Sequence, residues 1–310
     1  MAPDQNIIYI KNKDIDKTKW DRCILSSTNS LIYARSFWLD EICKWDALVL
    51  NNYEAVMPLT YNKKWGLYYL YQPYFTKQLG VFGKNITTDL IRYFLKTIPA
   101  KFKLWDIDLL ENSIDHSLQN DFPNIILKER KNFLLPLNKN YNELKQDYKR
   151  LAKRMINQCA ENNITIEKNV APSEIINFFK SNYTYDRKIS DKIYARLTNA
   201  SNAGFKNQLA FTYVAKASTG ETVGAYLILK DDRFIYSLLG GSNEMGKTTG
   251  AFYLLTDAAI RDNADSDRIF RFEGSDKKGI AFFNSQFNAQ PVEYFHLYLN
   301  ELPFPLNFFK

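Results

Sequence analysis

The sequence predicts an α/β protein with mixed sheets, divided into two modules of similar size. Three observations carry that prediction. The chain has 310 residues, 45% of them apolar, which is long for one core and comfortable for two. Strand-like and helix-like segments alternate along both halves. A polar break at residues 138–142, followed by an amphipathic helix, separates them.

The first module, residues 1–140, opens on a strand at Ile7–Ile10. Helices are expected at 15–25 and 36–44, then strands at 47–50, 55–61 and Leu67–Tyr71. Asn51-Asn52 is the turn between the first two of these strands. A helix at 88–97 stops before Pro99, and strands follow at 102–109 and 125–137. The second module, residues 141–310, begins with a boundary helix at about 141–161. Asn140 caps its free amides and Glu143 reaches back three residues later. Leu144, Tyr148, Leu151, Met155 and Cys159 recur every three or four positions and share a face. Next come a strand at 164–167, helices at 173–182 and 191–202, and strands at 208–217, Thr222–Lys230 and 234–239. The connectors between these strands are too short for a crossover, so they form an antiparallel meander. A glycine-rich loop, a helix at 249–263, a strand at 268–272, a helix at 278–287 and a strand at 292–299 complete the chain.

Composition narrows the partners. The net charge is +7 and the aromatic fraction is 15%, a balance that favours anionic ligands and supplies side chains for an extended groove. Cys23, Cys43 and Cys159 are widely spaced and there are two histidines, His116 and His296. That pattern argues against a zinc site or a disulfide framework and fits a reducing compartment. Neither a leader pattern nor a charge-free apolar run of spanning length is visible, so a cytoplasmic protein without a membrane span is expected.

The loop after the meander carries the chemistry. Gly241, Gly246, Lys247 and Thr248 match the phosphate-binding pattern GxxxxGK[ST] letter for letter. A nucleoside triphosphatase is nevertheless the weaker reading, because that motif belongs to a parallel sheet and the strand here ends a meander. Two readings remain: a turn that caps a helix, or an anion site built from free amides at a helix start. On the second reading Ser242, Gly246, Lys247, Thr248, Thr249 and Gly250 hold the donor.

The order meander, loop, helix, strand, helix, strand resembles the GNAT (N-acyltransferase) fold, whose corresponding loop binds the pyrophosphate of coenzyme A. The usual Gln/Arg-x-x-Gly-x-Gly/Ala signature is altered: with Gly246 in register, Asn243 and Thr248 hold the outer positions. Three segments resemble the FemAB-like branch of that superfamily. They are Arg154 to Ile164, where Met155 replaces an asparagine and Asn163 a glycine; Tyr183 to Arg187; and Phe272-Glu273-Gly274-Ser275 with Gly279-Ile280 and Phe287-Asn288-Ala289. In the first half, Trp45 to Val49, Val56 to Leu59 and Tyr71-Gln72-Pro73 look like the first module of related acetyltransferase-like proteins. The resemblance implies two tandem GNAT-like modules. It also implies an acyl- or aminoacyltransferase whose donor is acyl-CoA or aminoacyl-tRNA and whose acceptor is an amine. tRNA or a cell-wall precursor are the larger partners it implies, and no metal is needed. A catalytically silent GNAT-fold protein binding a nucleotide-linked or RNA ligand is the alternative.

Acyl transfer to an amine needs a donor held beside the amine, a polarised carbonyl and a proton acceptor. Glu273, after the strand that follows the loop, is the expected carboxylate, and Tyr236 and Tyr294 are the hydroxyl candidates. The competing role for Glu273 is an ion-paired structural acid. Lys149, Arg150, Lys153 and Arg154, with Lys145, form a basic cluster on the boundary helix, either an anion clamp or a solvated face. Tyr183 and Arg187 are further substrate-binding candidates. Tyr71 and Tyr74, in the aromatic run from Trp65 to Phe75, line an acceptor groove or pack as strand faces. The two histidines carry no expected role.

Overall fold

The computed structural model describes residues 6–111, 113–183 and 189–308. The chain divides into two units, residues 1–130 with 293–310, and residues 131–292.

In the first unit, β1 (Ile7–Ile10), β2 (Lys44–Leu50), β3 (Ala55–Lys64) and β4 (Leu67–Tyr71) form an antiparallel meander. Between β1 and β2 lie α1 (Lys17–Ser26) and α2 (Ser36–Ile42). Trp20, Trp38 and Trp45 are buried among these elements, and Trp20 donates its indole N–H to the Ala34 carbonyl at 2.8 Å. After the short β5 (Phe82–Gly83), α3 (Thr88–Lys96) starts at Thr87, whose hydroxyl accepts from the Leu90 amide. It crosses over to β6 (Phe102–Asp108), which pairs in parallel with β4. Ile91, Phe94 and Leu95 of α3 pack with Leu48, Leu70, Trp105 and Ile107 in the core of this unit. A single turn, α4 (Leu118–Asp121), precedes β7 (Ile126–Pro136), in which the chain passes to the second unit.

The second unit repeats the plan. Helices α5 (Tyr141–Asp147) and α6 (Arg150–Glu161) lead to β8 (Thr165–Lys168), and α7 (Pro172–Asn182) and α8 (Asp191–Lys206) follow. Then β9 (Ala210–Lys216), β10 (Thr222–Lys230) and β11 (Phe234–Ser242) extend from β8 as a second antiparallel meander. Helices α9 (Glu244–Thr249) and α10 (Ala251–Arg261) cross to β12 (Ile269–Arg271), which runs parallel to β11. The chain continues through α11 (Lys278–Ser285) into β13 (Gln290–Asn300), which carries it back to the first unit. Each sheet is therefore a four-strand meander, one parallel strand and one antiparallel strand. In the first that last strand is β13, pairing with β6; in the second it is β7, pairing with β12.

Two expectations differ here. The modules were expected to divide at residue 140, but the chain passes between units inside β7, ten residues earlier, and β13 belongs to the first unit. A strand's hydrophobic pattern does not reveal which sheet edge it joins. The boundary helix is also two helices. Its capping box, Asn140 with Glu143, forms as expected. Yet Tyr148 and Lys149 are extended, with ψ of 143° and 161°. Tyr148 is buried edge-on against Phe287, 5.0 Å between centroids, and the Lys149 amide donates to the Gln286 carbonyl at 2.8 Å. These contacts reset the buried face of α6 to Ala152, Ile156 and Cys159. No helix among the described residues is long and apolar enough to cross a membrane.

Candidate active site

The most distinctive backbone feature of the second unit is the divergence of β11 from β12. The two pair only from Phe234 with Ile269 to Tyr236 with Arg271. Beyond that point β11 runs on to Ser242. Its register with β10 slips by one residue, from Ile228 opposite Ser237 to Leu227 opposite Leu239, so Leu238 is a bulge. Past the bulge, Gly240 and Ser242 stand opposite Tyr226 and Gly224. Alternation gives both the same backbone orientation. The Ser242 N–H and C=O are held by the Tyr183 hydroxyl, at 2.8 and 3.0 Å, rather than by β10. The Gly240 N–H is turned to that same edge. Gly240 has no room for a side chain: a Cβ would lie 2.6 Å from both Phe252 and Tyr226. The bulge and the parting strands thus present a backbone donor at a fixed place, which is what a developing oxyanion requires. Sequence reasoning asked for a polarised carbonyl without locating the group that polarises it. Its signal was the Gly240-Gly241 pair inside a strand.

The loop itself is helical. Asn243 caps α9, its side chain accepting from the Gly246 amide at 2.8 Å. The Lys247 and Gly250 amides donate to the Asn243 and Gly246 carbonyls. Gly246 is pressed on β10, where a Cβ would lie 1.9 Å from the Val223 carbonyl oxygen. Glycine is required there by a protein contact, with no appeal to a phosphate. Lys247 pairs with Glu244 at 2.5 Å, and the Thr248 and Thr249 hydroxyls bond back to the Glu244 and Met245 carbonyls. Gly250 adopts φ +86° at the joint between α9 and α10. The Ser242 hydroxyl is buried with no hydrogen-bond partner among the described residues.

The carboxylate candidate lies under the sheet end. Glu273 has φ +56°, its amide donates to the Asn132 side chain, and its carboxylate meets Arg271 at 3.3 Å. Both side chains are 3% exposed. Tyr236 is fully buried and donates to Asp231 at 2.6 Å, at the start of β11, whereas the bulge and Gly240 lie beyond it. Tyr294 is a buried residue of β13 in the other unit.

Among the remaining candidates, Lys149, Arg150 and Arg154 are exposed along α6, and Lys153 is half-buried with its ammonium on the Gln146 carbonyl. Tyr183 stacks on Phe179 at 4.7 Å; Arg187 lies outside the described residues. Tyr71 lines a groove of the first unit, and Tyr74 is 41% exposed. Sequence reasoning missed His296. Its Nδ1 lies 2.8 Å from Asp108 and its Nε2 3.3 Å from Asp106. No short motif joins these residues; only the β6–β13 register brings them together.

No family model matches this sequence, and no curated protein matches it. Solved structures do. The structure titled FemX superposes with a TM-score of 0.66 at 12% identity, covering 94% of this chain and 96% of that one. This is a FemX-like tandem GNAT fold. The same fold extends to L-PGS from Bacillus licheniformis, with a TM-score of 0.54, 11% identity and 94% of each chain covered. A tandem GNAT protein from the clavulanic acid biosynthesis pathway follows at 0.50 and 10%, covering 94% of this chain and 98% of that one. In the GNAT fold of the second unit, the parted strands and the bulge are the elements around which the candidate site is built.

Proposed function

We propose that the protein is an acyl- or aminoacyltransferase, with the carbonyl of the donor held in the opening between β11 and β12 and attacked by an amine. The observation that carries this reading is the Gly240 amide, turned into that opening by the Leu238 bulge with β12 ending at Arg271. A donor amide at that place lowers the barrier by binding the oxyanion more tightly than the ground-state carbonyl. The amine attacks, the tetrahedral centre collapses, and the leaving group departs as a thiol or a ribose hydroxyl, taking up a proton.

Of the two donors, an ester such as aminoacyl-tRNA is favoured over a coenzyme A thioester. The amides of Gly246, Lys247 and Gly250 are occupied within the protein, and the Val223 carbonyl fills the space against Gly246. The exposed basic side chains of α6 supply the charge that a polyanionic donor needs. The proteins titled FemX and L-PGS share the fold. Purified protein is to be incubated with mixed aminoacyl-tRNAs or with acetyl-CoA, together with a panel of amines, and the products read by mass spectrometry. Amide formation from aminoacyl-tRNA alone supports the reading. Transfer from acetyl-CoA reverses the donor assignment, and consumption of neither donor favours a catalytically silent binding protein.

A further inference from the structure

On β4, β6 and β13 the sheet of the first unit has a second face, opposite the one that packs into the core. Leu70, Trp105, Ile107, Leu297 and Leu299 point into that core. By alternation Leu67, Tyr69 and Tyr71 on β4, Leu104, Asp106 and Asp108 on β6, and His296 and Tyr298 on β13 stand on the opposite face. The registers place Tyr71 opposite Asp106 and Asp106 opposite Tyr298, so one carboxylate stands in a row between two tyrosines.

A groove of about 290 Å³ opens over this row, within the size range of small-ligand sites. Its floor is Leu67, Tyr69 and Leu104, and Trp65, Leu302 and Leu306 add apolar lining. The Tyr69 and Tyr71 rings lie 6.0 Å apart, inclined at 56°. Asp106 is the single acid of the lining and Lys64 the single base. Lys64 is in register with Leu67 and Asp106 with Tyr71, which separates them by about 13 Å along the strand at roughly 3.3 Å per residue.

The acid is braced from behind. His296 meets Asp106 through Nε2 at 3.3 Å and Asp108 through Nδ1 at 2.8 Å. Arg130 contacts both oxygens of Asp108 at 2.8 Å, and the Gln72 side chain accepts from the Asp108 amide at 3.0 Å. Asp106 itself is 57% exposed, so this network holds an accessible carboxylate at the groove's end.

We infer that this groove binds a primary monoamine with an apolar body, its ammonium on Asp106 between Tyr71 and Tyr298. An ammonium pairs the carboxylate and lies against aromatic faces that attract cations. A neutral apolar molecule would desolvate Asp106 without compensating it, and an anion would meet it directly. Lys64 at the far end repels a second cation, so a diamine of the same length is disfavoured. The inference concerns binding in the first unit alone. An amine is also the acceptor class of the proposed transfer, but the test needs no turnover and its failure leaves that reading untouched.

The probes are n-hexylammonium, 1-hexanol, hexanoate and 1,6-diaminohexane. Each is titrated into the full chain by calorimetry and by the fluorescence of Trp65, which is 66% exposed while the other four tryptophans are buried. Hexylammonium is expected to bind about fivefold or more tighter than hexanol and the diamine, as one favourable half-exposed ion pair with a cation–π contact allows. Asp106→Asn should reduce hexylammonium to the affinity of hexanol, and Trp65→Ala should remove the fluorescence response. Equal binding of amine and alcohol, or full amine affinity in Asp106→Asn, overturns the inference. So does saturable binding of a saccharide such as tri-N-acetylchitotriose without binding of the amine. Should Asp106→Asn fail to fold, the ligand series on the unaltered protein decides the question by itself.

Discussion

The Tyr183 hydroxyl accepts from the Ser242 amide at 2.8 Å and donates to the Ser242 carbonyl at 3.0 Å. One side chain thereby satisfies both backbone groups at the end of β11. Its ring fills the space over Gly241, where a Cβ would lie 2.2 Å from the hydroxyl oxygen. Tyr183→Phe should cost about 1–2 kcal/mol by leaving that pair unbonded. Hydrogen exchange at Ser242 should accelerate about tenfold or more, with little change at Ile235 in the paired part of β11. Unaltered protection at Ser242 would show that the tyrosine does not hold the strand end in solution.

Glu273→Gln is predicted to lower stability by about 1–3 kcal/mol, because it replaces the buried carboxylate that meets the Arg271 guanidinium at 3.3 Å with a neutral amide. Arg271→Met combined with Glu273→Leu should recover most of that loss in urea unfolding. The double variant also separates the two roles proposed for this acid. If it is stable and still transfers acyl groups, Glu273 is a structural residue; if it is stable and inactive, the carboxylate takes part in the reaction.

Gly246→Ala should destabilise the protein by about 3 kcal/mol or more in the absence of any ligand, since the new methyl would overlap the Val223 carbonyl and α9 would have to lift off β10. Thermal unfolding of the unliganded variant measures this. A normal midpoint with impaired donor binding would instead restore the phosphate reading of the loop.

Asp257 is buried in α10 and accepts from Tyr141 at 2.8 and 3.0 Å. Burial raises its pKa above the ordinary value, opposed by the Tyr141 and Tyr148 hydroxyls and by Lys145 and Arg261. The folded state therefore holds this proton at pH values where the unfolded chain has released it. Asp257 contributes most stability below the unfolded pKa, near 4 by the usual carboxylate value, and that contribution is lost as pH rises through the folded pKa. Asp257→Asn should flatten this part of the stability–pH curve and leave the variant relatively more stable at pH 7. An identical pH slope in chemical denaturation would contradict the assignment.

Replacing Lys149, Arg150, Lys153 and Arg154 together by glutamine should weaken tRNA binding and reduce the slope of log affinity against log salt by up to about 3–4. Stability should barely change, because these side chains lie on the exposed or half-buried side of α6. Equal affinity and slope would leave the cluster as a solvated face.

The sequence by itself determined the elements and the plan. Asn140 and Glu143 started their helix as written, and the short connectors at residues 218–221 and 231–233 imposed the meander on β9, β10 and β11. These are local effects, decided by backbone geometry within a few residues. That same meander made the triphosphatase the weaker reading of Gly241 to Thr248 before any tertiary contact was known. What only the tertiary structure decided depends on partners far apart in the chain. The break at Tyr148 and Lys149 needs Gln286 and Phe287. Gly246 answers to Val223, and Glu273 to Arg271 and Asn132. His296 acquires its two aspartates through pairing across 188 positions to Asp108. The exchange of β7 and β13 between sheets follows from edge pairing, which the alternation of a single strand does not encode.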